Sequence, residues 1–369
     1  MTRARKVLFT GYPRPRQQWW LDALNRAFFE LRVGCKDSDF LVLVLTTIQL
    51  ESGVEVNPAL GNRDLVAMFT LRLERFNEEH AVVGRLLNYS GLEETLRSKL
   101  RRDTKRGFVR REGDLVRYIE KDLRPWLQAY LQEHYLLPAA LARLVAEFGI
   151  SNPVRTLGPM QVNVLKAYRN ARKRGERVES PQVMQKWLLT PNTALARGLK
   201  EGIYLLHQSY RFYRKRLRRE QAVLYTSADF NAGEFSSRNA AFQEMAARVT
   251  GKPQVLDGDL LWYKDGEPTQ RRSEIEEALM ALFPREPAES IRKDLLREKD
   301  AAFSSTRIWR RVCARFRAKA KRPCPLARLP AGAENVTARI KLGRSYTPVN
   351  YARAVLHRFR INHRVYDEG

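Results

Sequence analysis

The carboxylate with the clearest chemical prospect is Glu51, in the stretch Thr46-Thr47-Ile48-Gln49-Leu50-Glu51-Ser52-Gly53. It closes an almost wholly apolar run from Phe40 to Leu50. Such a run is too short to span a bilayer, which takes roughly 20 residues, and it lacks the alternation of a half-buried strand. The pattern predicts a buried helix with Glu51 in its last turn and Gly53 as a left-handed C-cap. Burial disfavours the charged carboxylate, and the negative end of the helix dipole pushes the same way. A glutamate that keeps its proton near neutral pH is suited to general-acid work, the role such a residue plays in glycoside cleavage. The competing reading is plainer: Glu51 is where an apolar helix meets water.

Two further stretches have the residue types to join it. One is Gly158-Pro159-Met160-Gln161-Val162-Asn163 and the other is Ala228-Asp229-Phe230-Asn231-Ala232-Gly233. Asp229 and Glu55 are the nearest possibilities for a second carboxylate, against a reading as solvated or structurally paired acids. Metal chemistry finds little purchase, because the five histidines are scattered and form no HExxH-like cluster. The three cysteines, Cys35, Cys313 and Cys324, are an odd number without metal-ligand spacing, so neither a zinc site nor a disulfide framework follows. No cofactor is expected.

In order along the chain, Glu51-Ser52, Gly158-Pro159-Met160-Gln161 and Ala228-Asp229-Phe230-Asn231-Ala232-Gly233 resemble the three signature boxes of the lytic transglycosylases of the goose-type lysozyme superfamily. A closer resemblance covers most of the chain from about Trp19. It rests on Asn152-Pro153-Val154 leading into the second box, on the third box running into Ser237-Arg238-Asn239-Ala240-Ala241-Phe242-Gln243, and on Leu256-Asp257-Gly258-Asp259-Leu260. These strings are similar to an uncharacterised family of Gram-negative envelope proteins, domain of unknown function 1615.

The transglycosylase resemblance implies that Glu51 is the single catalytic acid/base. It would protonate the glycosidic oxygen between N-acetylmuramic acid and N-acetylglucosamine, then accept the proton of the muramoyl 6-hydroxyl as a 1,6-anhydro ring closes. This departs from the two-carboxylate scheme of most glycosidases. By the same resemblance Ser52 steadies the Glu51 carboxyl, Met160 and Gln161 line the cleft, and Asn231 reaches substrate. Phe230 stands where the pattern has tyrosine and so lacks a hydroxyl for Glu51 or substrate. About a hundred residues separate Glu51 from Gly158, more than in the compact transglycosylases.

The elements that must position these residues read as mostly α. Helical spacing runs over Trp19–Val33, Leu65–Leu87, Leu115–Leu131 and Pro138–Phe148, then over Met160–Arg174, Thr193–Glu220 and Ala222–Ala232. Further helices are expected at Ile275–Leu282, Ile291–Arg297 and Thr306–Ala320, with turns at Gly158-Pro159 and Asp265-Gly266 and a last helix opening at Thr347-Pro348. The expected organisation is a lysozyme-like helical core from residues 15–62 and 150–250, a helical insertion over 63–149, and a basic helical C-terminal region over 251–369.

The chain has 369 residues and a formal charge of +26, from 67 Lys and Arg against 41 Asp and Glu. That excess implies an anionic partner or surface: nucleic acid, anionic lipid or an acidic wall polymer. Basic residues cluster at Arg97–Arg111, Arg169–Arg177, Tyr210–Arg219 and Arg307–Arg322. The third interleaves Tyr210, Phe212 and Tyr213, either a stacking platform for nucleic acid or a helix whose aromatics face the core. Val7–Thr10 is too short for the apolar segment of a secretory signal. The expected setting is nonetheless the bacterial envelope, in the periplasm, with peptidoglycan glycan strands as partner and room for association with a membrane or an envelope complex. The alternatives are a non-catalytic glycan-binding or scaffolding member of the same fold and a nucleic-acid-binding helical protein.

Overall fold

The computed structural model describes residues 2–9, 17–34, 37–56, 66, 69–70, 89–107, 109–149, 156–264, 267–331 and 347–368. The expected helix over Leu65–Leu87 lies almost wholly outside the described residues.

The architecture is mostly α, built round one helix. That helix, α3 (Ser38–Ser52), follows α1 (Thr2–Phe9) and α2 (Gln17–Glu30). Every residue of α3 from Phe40 to Gln49 is buried, which is why its sequence shows no amphipathic period. Asp37 caps its start, accepting from Phe40 N at 3.0 Å. Gly53 ends it in the left-handed region at φ 62°, donating to Gln49 O, as the run and its glycine predict.

Residues 89–149 form α4 (Tyr89–Lys105), α5 (Glu112–Tyr118), a π-helical turn (Ile119–Leu123), α6 (Arg124–Tyr135) and α7 (Ala139–Gly149). A two-stranded hairpin follows, β1 (Thr156–Leu157) against β2 (Val162–Asn163), with Leu157 paired to Val162. Then come α8 (Val164–Lys173), α9 (Pro181–Leu189), α10 (Pro191–Arg214), α11 (Arg219–Ala232) and α12 (Ser236–Thr250). A second small hairpin, β3 (Tyr263–Lys264) and β4 (Glu267–Pro268), brackets the expected Asp265-Gly266 turn, whose own residues lie outside the described ones. The chain ends with α13 (Glu274–Leu282), α14 (Ala288–Leu295), a 3-10 turn (Ala301–Ser305), α15 (Arg307–Ala320) and α16 (Pro348–Glu368).

Three readings of the sequence need correction. Met160 starts no helix: it sits in the turn between β1 and β2, and the helix begins after Asn163, whose side chain caps Lys166 N at 3.0 Å. The long helix expected over Thr193–Glu220 is two, because Arg218 is extended at φ −64° and ψ 155° and restarts the chain as an N-cap. Finally, Cys313 and Cys324 form a disulfide, with Cα atoms 5.7 Å apart, closing the end of α15 onto the segment after it.

Buried side chains fall into two clusters. The larger surrounds α3 and takes in α1, α2, α4 to α11 and α16. The smaller holds α12 to α15 together with Leu260 and Leu261. Helix α16 packs on α3, α1 and above all α11, while α10 packs on α2, α9 and α11. Tyr210, Phe212 and Tyr213 are all core residues, with Arg211 and Arg214 outward, so the aromatics of the Tyr210–Arg219 run form the buried face of the end of α10 and no stacking platform.

Candidate active site

Glu51 lies in the last turn of α3 and is half-buried. Burial pushes its carboxyl up from the usual range to about 7, against a smaller opposing pull from a hydrogen bond to Tyr351. Tyr351 stands in the first turn of α16 and is itself buried, and its phenol is driven well above its ordinary value by burial and by the charge of Glu51. Helices α3 and α16 run antiparallel. Tyr351, near the start of α16, meets the end of α3, whereas His363, near its end, meets Asp39 at 2.8 Å. Between them Asn362 Nδ2 donates to Thr46 Oγ1 and to Gln49 Oε1, both at 2.8 Å. Gln49 Nε2 in turn donates to the carbonyls of Val7 and Leu8 at 2.6 and 3.2 Å, tying the end of α1 to the same polar seam. The seam holds α16 in register on α3 and so holds Tyr351 over Glu51.

The residue after it behaves differently from what the resemblance implies. Ser52 Oγ donates to Ile48 O at 3.1 Å, the back-bond of a helical serine, and its hydroxyl is spent within the helix. Glu55 is exposed and pairs with Arg111 at 2.8 Å.

The second box is a tight turn seated on α10. Gly158 has φ 79° and accepts Gln161 N at 3.0 Å. Met160 is fully buried, and it lies where α10 has no side chain: a Cβ on Gly202 would come within 2.4 Å of its Sδ. A Cβ on Gly198 would likewise come within 2.6 Å of Pro159 Cδ. The two glycines, one turn apart, cut a notch that receives the hairpin. Sequence reading passed over them, although two glycines four residues apart inside a long helix are a signal of close approach. Gln161, itself at φ 48°, turns its side chain back on the hairpin, donating to Gly158 O at 3.1 Å and accepting from Thr156 Oγ1 at 3.3 Å.

The third box closes α11. Phe230 packs partly buried against the larger cluster, Asn231 is exposed, and Gly233 ends the helix at φ 144°. The segments that follow the second and third boxes meet in an ion pair: Lys166, at the start of α8, reaches Glu234 at 3.4 Å. Three lysines, Lys166, Lys173 and Lys299, hold the Glu234 carboxyl below its ordinary value despite its burial.

Asp229 is structural. Burial pushes its carboxyl up, and it accepts from Ser209 Oγ at 2.7 Å, Tyr213 Oη at 3.0 Å, Ser236 Oγ at 3.2 Å and Ser237 N at 2.7 Å. Next to this knot Arg238, fully buried, donates to Asn239 Oδ1, to Asp300 O at 2.7 Å and to Glu298 O, and its guanidinium lies against the rings of Phe212, Phe235 and Phe303. Two of those rings belong to the larger cluster and Phe303 to the smaller, so Arg238 pins the two together. Gln243 accepts Gly258 N at 3.0 Å and donates to Asp259 O at 2.9 Å, which locks the Leu256–Leu260 string onto α12. Two of the strings that carry the closer resemblance, Ser237–Gln243 and Leu256–Leu260, thus lie at the junction of the two clusters, while Asn152-Pro153-Val154 lies outside the described residues.

Among the described residues no group of three or more His, Cys, Asp or Glu side chains is arranged to hold a metal ion. Among them, too, no helix is long and apolar enough to cross a membrane.

The arrangement defines a mostly α protein with one half-buried, proton-retaining glutamate set under a tyrosine from the last helix. The chain belongs to the family described as Protein of unknown function (DUF1615), which matches residues 14–362. It is 32% identical over 183 residues to the uncharacterized protein YaiW of Escherichia coli (strain K12), a match covering 50% of this chain and 46% of that protein. The chain is therefore aligned to about half the length of this relative. No solved structure matches it.

Proposed function

We propose that the protein is a lytic transglycosylase of peptidoglycan, with a lysozyme-like core and Glu51 as its acid and then its base. The observation that carries this reading is the Glu51 carboxyl, half-buried beneath Tyr351 with its pKa pushed up to about 7. Such a group holds a proton to donate at neutral pH and is a competent base once it has done so, which suits a reaction needing both steps from one residue. Tyr351 offers Glu51 a phenolic hydroxyl, the group that Phe230 lacks. The Lys166–Glu234 pair supports proximity of the segments that follow the second and third boxes. A Cys313–Cys324 disulfide suits an oxidising compartment, in keeping with the cell envelope.

A second reading has a specific observation in its favour. Met160 is buried in the α10 notch and Ser52 bonds its own helix, so two residues assigned to the cleft by resemblance are engaged elsewhere. A glycan-binding or scaffolding member of the same fold, without catalysis, would tolerate that. The test is digestion of purified sacculi followed by mass spectrometry. Transglycosylase action releases 1,6-anhydromuropeptides, and Glu51→Gln abolishes them while the variant stays folded. No anhydro product from the wild-type protein favours the non-catalytic reading, and reducing-end products identify a hydrolase.

A further inference from the structure

A concave site lies on the smaller cluster, at helices α12 and α15. Arg248, Lys252, Lys319 and Arg322 line a groove of about 810 Å³ between the C-terminal ends of α12 and α15. All four are exposed. The acid in the groove, Glu244, is already engaged by Arg322 at 3.4 Å and by Arg328 at 2.9 Å. Lys319 Nζ reaches Val249 O at 3.4 Å. Among the described residues Arg248 and Lys252 have no carboxylate within ion-pair distance.

Cations do favour helix C-termini, but that effect fades within the last turn. It accounts for Arg248 and Lys319, inside α12 and α15; Lys252 and Arg322 lie beyond those helices and are drawn to the groove by neither. The Cys313–Cys324 disulfide closes the span that carries Lys319 and Arg322, so their backbone is held before any ligand arrives. Preorganisation of this kind lowers the ordering cost of binding. No aromatic side chain lines the groove, so it offers nothing for a base to stack on. The chemistry is that of a multivalent anion held by charge-assisted hydrogen bonds.

We infer that this groove is an anchoring subsite for the carboxylates of peptidoglycan stem peptides, resting on the proposed substrate of Glu51. It holds the polymer by its peptides while the glycan is offered to the carboxylate on α3.

The test is co-sedimentation of the full chain with purified sacculi, comparing the wild-type protein with an Arg248→Glu/Lys252→Glu variant. Both positions are exposed, and circular dichroism checks the fold. Retention of the variant is expected to fall about tenfold near 0.1 M salt, where exposed charge contacts are weakened by screening but not abolished. Wild-type retention is expected to fall similarly on sacculi whose carboxylates have been amidated with carbodiimide. Equal retention of variant and wild type overturns the inference, as does indifference to amidation. So does displacement from native sacculi by duplex DNA or phosphatidylglycerol vesicles at lower anion concentration than by soluble muropeptides. Anhydromuropeptide release is measured separately, so loss of the catalytic reading and loss of this subsite give different results.

Discussion

The Tyr351 phenol faces the Glu51 carboxyl across the antiparallel interface of α16 and α3 and opposes the burial that raises the Glu51 pKa. One residue withholds water from the carboxyl and at the same time supplies it with a donor. Both effects are open to measurement.

Glu51 holds its proton more tightly in the folded chain, with a pKa of about 7, than in the unfolded one, near 4.5. Its contribution to stability is therefore fully present below about pH 4.5 and lost as pH rises through about 7. The swing is on the order of 3 kcal/mol at most, less to the extent that water reaches the half-buried group. Urea unfolding at pH 5 and pH 8 should show wild-type stability declining between them, and Glu51→Gln should flatten that decline. An unchanged decline in the variant would place the titrating group elsewhere.

Tyr351→Phe removes a donor that favours the ionised carboxylate, so the Glu51 pKa should rise further. The alkaline limb of the rate profile for sacculus cleavage, expected near pH 7 in the wild type, moves upward. Loss of one such hydrogen bond corresponds to roughly a tenfold slower turnover. A limb that stays where it was, with turnover intact, removes Tyr351 from the proton's control.

Gly202→Ala drives a methyl to within 2.4 Å of Met160 Sδ. Overpacking of this kind costs about 1–3 kcal/mol, whereas Met160→Ala leaves a cavity costing roughly 2–5 kcal/mol. The two changes are complementary in volume, so the double variant should lose less stability than the sum of the singles. Strict additivity in chemical denaturation would show that the hairpin does not sit in the notch.

Asp229→Ala strands four donors, those of Ser209, Tyr213, Ser236 and Ser237. A loss of roughly 3 kcal/mol or more is expected, with Asp229→Asn milder because one acceptor remains. Calorimetry of the two variants side by side tests this: equal and small shifts in melting temperature would mean that the knot is not what joins α10, α11 and α12.

Much of this was legible in advance, and the reasons are local. The apolar run, its carboxylate and Gly53 announce α3 and its cap with no tertiary information, and Thr347-Pro348 announces α16, where Asn350 N donates to Thr347 Oγ1 at 3.2 Å. What stayed hidden depends on partners distant in the chain. Tyr351 carries no mark of its role, because its partner lies on α3. Helix α12 went unread because its buried first turn is polar, Ser236, Ser237, Arg238 and Asn239, and it takes Asp229 together with the carbonyls of residues 258, 298 and 300 to explain how such a turn can be dry. The break at Arg218 has neither glycine nor proline to signal it. An odd cysteine count likewise hid the Cys313–Cys324 bridge.

The last helix also dictates when Glu51 can acquire its raised pKa. While the chain is still emerging from the ribosome, the end of α3 has nothing laid over it, and a solvated glutamate there titrates like any other. Asn362 and Thr46, 316 residues apart, can meet only after nearly all of the polypeptide has been made. Glu51 takes on its raised pKa only at that closing step, and loss of α16 would return its carboxyl toward the ordinary range.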